Sequence, residues 1–150
     1  MAGGNIMHLL DGVRNQLRCI PVVHEVAAAI AVEYHNEAVS VQYGADKAFA
    51  MVTAGPGLTN AVTGLAGAFL ESRELLLLGG QVKREDLSPS GLRQLGVQEV
   101  DGVAIVAPVT KTSECLLEPW TRERFLAAVR TGRQGRPGPV FLELPLDVQA

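Results

Sequence analysis

Residues 48–70 (AFAMVTAGPGLTNAVTGLAGAFL) carry no charge, and a stretch of that length is enough to cross a bilayer. Gly55-Pro56-Gly57 interrupts it, with Thr53, Thr59, Asn60 and Thr63 around the break. Glycine followed by proline sets a sharp turn and ends regular structure. The segment therefore reads as a buried strand over 47–54, a tight turn, and a helix over 58–72 whose small residues permit close packing. Between Lys47 and Glu71 strand and helix are both uncharged, so other layers of structure must cover them.

The same alternation runs along the rest of the chain. Asn5 is placed to cap a first helix, and Ile6, Leu9, Leu10, Val13 and Leu17 form an apolar stripe that carries it to about Arg18. Residues 19–23 (CIPVV) read as a short buried strand, feeding at His24-Glu25 into an alanine-rich helix over 24–39. Further strands are expected over 74–79, closed by Gly79-Gly80, over 107–115, and over 140–145 after GRPGP. Residues 119–133 form an amphipathic helix with Trp120, Phe125, Leu126 and Val129 inward, and the polar stretch 81–98 is a candidate functional loop. Short apolar strands alternating with helices give an α/β fold: one domain over 1–150, a parallel sheet with helices on both faces. Ligands on such sheets gather at the carboxyl ends of the strands, where Glu25, Gly55-Pro56-Gly57 and Gln81 fall.

Composition excludes several function classes. Of the 150 residues 47% are hydrophobic, enough to build a core, which removes intrinsic disorder. A net charge of -3 with no basic cluster argues against nucleic acid or a membrane surface as partner. Cys19 and Cys115 stand far apart, so neither a disulfide framework nor a metal site is expected. The N-terminus has no basic stretch and is interrupted by Asp11 and Arg14, unlike a cleavable signal. A cytoplasmic setting fits these features.

Each candidate residue has a plain reading beside the chemical one. A glutamate at a helix start gains from the helix dipole, which alone would account for Glu25. Glycine and proline at a strand-to-helix turn can serve backbone geometry alone. Asn60 stands where a dinucleotide-binding G-x-G-x-x-G would need its third glycine, and no phosphate-binding Gly-Lys-Ser/Thr occurs.

The ordered set is more specific than any member. GGNIMHLLDG, VVHEVAAAIAVEY, VTAGPGLTNAVTGLAGAFLES, GGQV, GVQEVDGVAIVAPVTK and GRPGPVFLELPLDV together resemble the N-terminal pyrimidine-binding domain of thiamine diphosphate-dependent enzymes. Within them the chain is most similar to the catalytic (large) subunit of acetolactate synthase and related carboligases, over nearly all its length. The resemblance implies that Glu25 is catalytic, its carboxyl hydrogen-bonding N1′ of the cofactor's aminopyrimidine, while His24 beside it could be structural. It implies that Thr53, Gly55, Pro56 and Gly57 line the pyrimidine pocket and that Asn60 helps fix the turn. Gln98 matches a glutamine facing the active site, and Lys111 matches a lysine near the substrate entrance, though a solvated strand-end lysine would look the same. Val97 stands where the family usually has phenylalanine, which bears on the acyl substrate. Burial among Val23, Val26 and the glycine turn is expected to raise the Glu25 pKa.

The implied cofactor is thiamine diphosphate. Mg2+ would be held by a Gly-Asp-Gly...Asn segment on a separate domain, a motif this sequence lacks, and FAD would belong to a full-length enzyme. The implied partners are a 2-oxo acid substrate and either a second copy or a diphosphate-binding domain or subunit. Against the family pattern the chain starts where a Gly-apolar-Pro-Gly turn would finish. The first helix and strand are therefore expected to be absent, leaving an exposed sheet edge and low stability. The function expected is half of a carboligase site, inactive alone. A separate subunit of a split 2-oxo acid decarboxylase and a non-catalytic interaction module on the same fold remain as alternatives.

Overall fold

Two seven-residue strands, Leu75–Gln81 and Pro139–Pro145, lie side by side in parallel, with Leu77 opposite Phe141 and Gly79 opposite Glu143. The computed structural model describes residues 3–40, 46–89 and 92–150. In chain order its helices are α1 (Met7–Val13), α2 (Glu25–Ser40), α3 (Pro56–Leu70), α4 (Gly102–Val106) and α5 (Arg122–Thr131). Its strands are β1 (Ala50–Val52), β2 (Leu75–Gln81), β3 (Thr112–Cys115) and β4 (Pro139–Pro145), all parallel in the order β1-β2-β4-β3.

Alternate residues of the central strands face opposite layers, as the pleat requires. Val52, Leu75, Leu77 and Phe141 pack with Ala29 and Val32 of α2, Leu58, Ala61, Leu65 and Ala68 of α3, and Val106 of α4. On the other face Leu78, Val140, Leu142 and Leu144 meet Leu9 of α1, Trp120, and Phe125, Ala128 and Val129 of α5. The expected α/β sandwich is therefore present. Small residues do what their spacing suggested: Gly64 of α3 lies against Ala29 of α2, and the Phe141 ring fills the space above Gly79, where a Cβ would stand 2.7 Å from it. Among the described residues no helix is long and apolar enough to cross a membrane.

Several boundaries differ from the sequence reading. Residues 19–23 form no strand; Ile20 is 70% and Val23 90% exposed. An apolar run becomes a strand only beside a partner backbone, and the only strand paired with β1 among the described residues is β2. The first helix stops at Val13 rather than near Arg18, just after Gly12, and Leu17 is exposed. Asn5 does not cap it: 4–6 form a 3-10 turn with no side-chain cap, and the Asn5 carbonyl accepts from Gln149 Nε2 at 2.8 Å. The expected strand over 107–115 is confined to β3, because Asp101 caps α4 through the Ala104 N–H at 2.9 Å and the helix runs on into a 3-10 turn containing Pro108. β1 is shorter than 47–54 since the Asn36 side chain takes both the N–H and the carbonyl of Ala48, at 2.7 and 3.0 Å, away from the ladder. Trp120 and Leu126 fit the expected inward face only in part: Trp120 packs from just before α5 and Leu126 is half-buried.

One buried acid lies in the apolar β4. Glu143 is 4% exposed, and its carboxylate occupies the space a side chain at Gly102 would need. Burial pushes its carboxyl up to about 7; hydrogen bonds with Gln81 and Cys115 oppose this, and the charges of Asp101 and Glu99 add to it. The adjacent Cys115 thiol is pushed up to about 12 by burial and by Glu143, so it stays protonated.

Two stability measurements follow from this packing. Gly64→Leu forces a side chain into Ala29 and is expected to destabilise the chain by about 2–3 kcal/mol in urea unfolding. Gly12→Ala, in α1 with open space around it, should instead be neutral or stabilising by about 0.5–1 kcal/mol. Glu143 sets a pH dependence: its folded pKa lies above the unfolded one, so the folded state binds the extra proton. Its stabilisation is full below pH about 4.5 and fades, by on the order of 3 kcal/mol, as pH rises through about 7. In Glu143→Gln the decline in unfolding free energy between pH about 5 and 8 should disappear; an unchanged decline would place the titration elsewhere.

Candidate active site

Glu25 opens α2 and is 2% exposed, at the sheet edge where the strands end. Its Oε2 accepts a hydrogen bond from Asn60 Nδ2 at 2.9 Å, which joins the first turn of α2 to the second turn of α3. A buried carboxylate is retained only with such partners. Its pKa lies below the ordinary value rather than above it. Burial raises it, and of the interactions that together lower it more the hydrogen bond from the Asn60 amide is the largest. The expectation of a raised pKa leaned on Val23, which faces solvent, and Val26, which is only half-buried.

The Gly55-Pro56-Gly57 turn stands opposite. Gly55 precedes α3 at φ 59°, ψ -118°, a conformation open to glycine and strained for any side chain. Pro56 takes the first helical position, where no N–H is needed. A Cβ on Gly57 would lie 2.8 Å from Thr53 Cγ2 and 3.9 Å from Glu25 Oε1. Gly3 approaches Thr53 from another side, its Cβ position 2.5 Å from the Thr53 Oγ1. Thr53, Gly57 and Glu25 thus pack so closely that an added methyl group on Gly57 would collide with Thr53.

Gln98 reaches this turn from the far side of the sheet edge. Its backbone carbonyl sits where a side chain on Gly55 would have to go, and its own φ is 61°. Gln81, at the end of β2, is fully buried; its Nε2 donates to the Val100 carbonyl and its Oε1 accepts from the Val82 N–H, both at 2.9 Å. The structure therefore brings Glu25, Thr53, Gly55, Pro56, Gly57, Asn60, Gln81 and Gln98 to one edge. His24 is exposed there, its Nδ1 accepting from the Val26 N–H at 3.3 Å.

Lys111 is not brought to this edge. It precedes β3, at the amino ends of the strands, and its ammonium donates to the carbonyls of Gln134 and, at 2.8 Å, of Arg136. It ties down the loop before β4. Two residues at the site edge escaped the sequence reading. Glu99 gathers four hydrogen bonds, and its signal was only its place beside Gln98; Glu143 was marked by being the one acid in an otherwise apolar strand. Among the described residues no group of three or more His, Cys, Asp or Glu side chains could hold a metal ion.

Chemically, the buried Glu25 carboxylate beside the closely packed glycine turn is a group that could accept a hydrogen bond from a protonated nitrogen of an aminopyrimidine ring. Residues 1–105 match the family model described as thiamine pyrophosphate enzyme, N-terminal TPP binding domain. The chain is 38% identical to the acetolactate synthase large subunit of Lactococcus lactis, over 97% of its own length and 24% of that protein. It is 38% identical to a catabolic acetolactate synthase of Raoultella terrigena, covering 25% of it, and 36% identical to 2-hydroxyacyl-CoA lyase 2 of Bos taurus, covering 22%. The chain thus spans about a quarter of the length of these relatives. With the fold and the matched span in agreement, the chain belongs to the thiamine pyrophosphate enzymes, as their N-terminal TPP binding domain.

Proposed function

We propose that this chain is the pyrimidine-binding half of a thiamine diphosphate-dependent enzyme acting on 2-oxo acids in the manner of acetolactate synthase. The observation that carries the reading is the buried Glu25 carboxylate, held by Asn60 and lying beside Thr53 and the Gly57 backbone at the glycine turn. Bound thiamine diphosphate supplies a carbon nucleophile that adds to a substrate carbonyl and takes up the electrons released on decarboxylation. Glu25, ionised because its pKa is low, would accept a hydrogen bond from a protonated ring nitrogen N1′ and so favour the tautomer that can take a proton from the reacting carbon. Thr53 and the Gly55-Pro56-Gly57 backbone would hold the ring, and Asn60 would keep the carboxylate aimed.

In this reading the diphosphate and Mg2+ are held outside the chain, by a second domain or subunit, and any flavin belongs there too. Gln98, on the same edge, would face the substrate. A lyase reaction on the same cofactor is the second reading, supported by the 36% identity to 2-hydroxyacyl-CoA lyase 2. Both use the same Glu25.

Titration of the labelled chain with thiamine diphosphate is expected to shift the amide resonances of Gly55, Gly57 and Asn60. Glu25→Gln, which removes the charge but keeps an acceptor oxygen, should weaken that binding about tenfold or more. Pyruvate given to the chain alone with thiamine diphosphate and Mg2+ should yield no acetolactate. Shifts confined to other residues, or acetolactate from the isolated chain, would overturn the reading.

A further inference from the structure

Gln98 holds a backbone conformation that side chains avoid. At φ 61° its Cβ crowds its own carbonyl, and that carbonyl is pressed onto Gly55. Such a residue stays in place only where its surroundings over-determine it. The residue that follows it provides most of that determination. Glu99 Oε1 accepts from the Ser88 N–H and the Ser88 hydroxyl, each at 2.6 Å, and Oε2 accepts from the N–H groups of Leu95 and Gly96 at 2.9 and 3.0 Å. Burial raises the Glu99 pKa, yet these bonds hold it at about 2, so the carboxylate is ionised at any ordinary pH.

The turn that Glu99 closes has little freedom left. The Glu99 N–H bonds the Gly96 carbonyl at 3.3 Å, and Gly96 is packed so closely on Val82 that a Cβ would stand 2.6 Å from its Cγ1. Beyond Glu99, the Gln81 amide holds the Val100 carbonyl. Gln98 is the one residue of the turn between these two anchors whose carbonyl reaches Gly55.

We propose that Glu99 is a positioning residue for the cofactor site: its carboxylate locks the 95–99 turn to Ser88 and thereby keeps the Gln98 backbone as a wall on the Gly55 turn. The role in binding rests on the reading of that turn as the pyrimidine pocket; the lock on Gln98 does not.

The experiment is nuclear magnetic resonance on the full 150-residue chain and its Glu99→Ala and Glu99→Gln variants. It reads amide exchange at Leu95 and Gly96, the through-space contact between Gln98 and Gly55, and the titration with thiamine diphosphate. In Glu99→Ala, exchange at Leu95 and Gly96 should accelerate about tenfold or more, the Gln98–Gly55 contact should vanish, and thiamine diphosphate affinity should fall about tenfold. Exchange at the core residues Leu65 and Phe141 should not change. Glu99→Gln, which keeps one acceptor oxygen, should fall between, and it decides the matter if the alanine variant does not fold. A Gln98–Gly55 contact that survives the loss of protection would overturn the proposal and leave Glu99 a turn cap. Absence of thiamine diphosphate binding by the parent chain would overturn the cofactor reading alone, and the Gln98–Gly55 contact would still judge the lock.

Discussion

The pairing of β2 with β4 is the constraint on which the rest depends. Every residue of β4 is buried, and in β2 only Leu76 is partly open, so neither strand can turn a face to water. Two helical layers must then cover the sheet; in one of them the bare backbone of Gly64 lets α3 approach α2, and Gly79 leaves room for the Phe141 ring. Burial on both faces also fixes register, since a one-residue slip would exchange the two apolar sets. Polar side chains have room only at the two rims.

Those rims are built differently. At the amino ends of the strands long charged side chains span gaps: Lys47 meets Glu74 at 2.6 Å, Arg133 also reaches Glu74, and Lys111 reaches two loop carbonyls. At the carboxyl ends Arg84 likewise meets Asp147 at 2.8 Å, and shorter polar groups bind backbone or each other around the glycine turn, as Asn60 does on Glu25, Gln81 on Val100 and Glu99 on Ser88. Short side chains with few rotatable bonds hold positions more narrowly than lysine or arginine. The short side chains beside Glu25 and the glycine turn are therefore held narrowly.

Much of this was legible in the sequence where local chemistry decides. The uncharged strand, the Gly55-Pro56-Gly57 break and the helix after it are dictated by residues within one short segment. So is the junction at Glu25, where an alanine-rich run begins. What failed depended on neighbours: 19–23 is apolar enough for a strand but has no paired backbone beside it, and β1 was shortened by Asn36, which is remote in sequence. The grouping of Glu25 with the turn was expected from strand ends, yet the strand assigned before Glu25 does not form, and the low Glu25 pKa depended on Asn60 reaching across from α3. Lys111 stands at the amino rim because the strand expected over 107–115 begins only at Thr112.

The ring of Phe141 lying over bare backbone at Gly79 has a consequence for how this sheet could vary. The two positions belong to adjacent strands, yet they share one volume, so they constitute a single choice rather than two. A sequence that acquires a side chain at 79 must give up a comparable amount of volume at 141. One that shrinks 141 without filling 79 leaves a void in the layer that carries α2 and α3. Drift at this point of the chain should therefore proceed by paired exchanges, with 79 and 141 changing together or not at all.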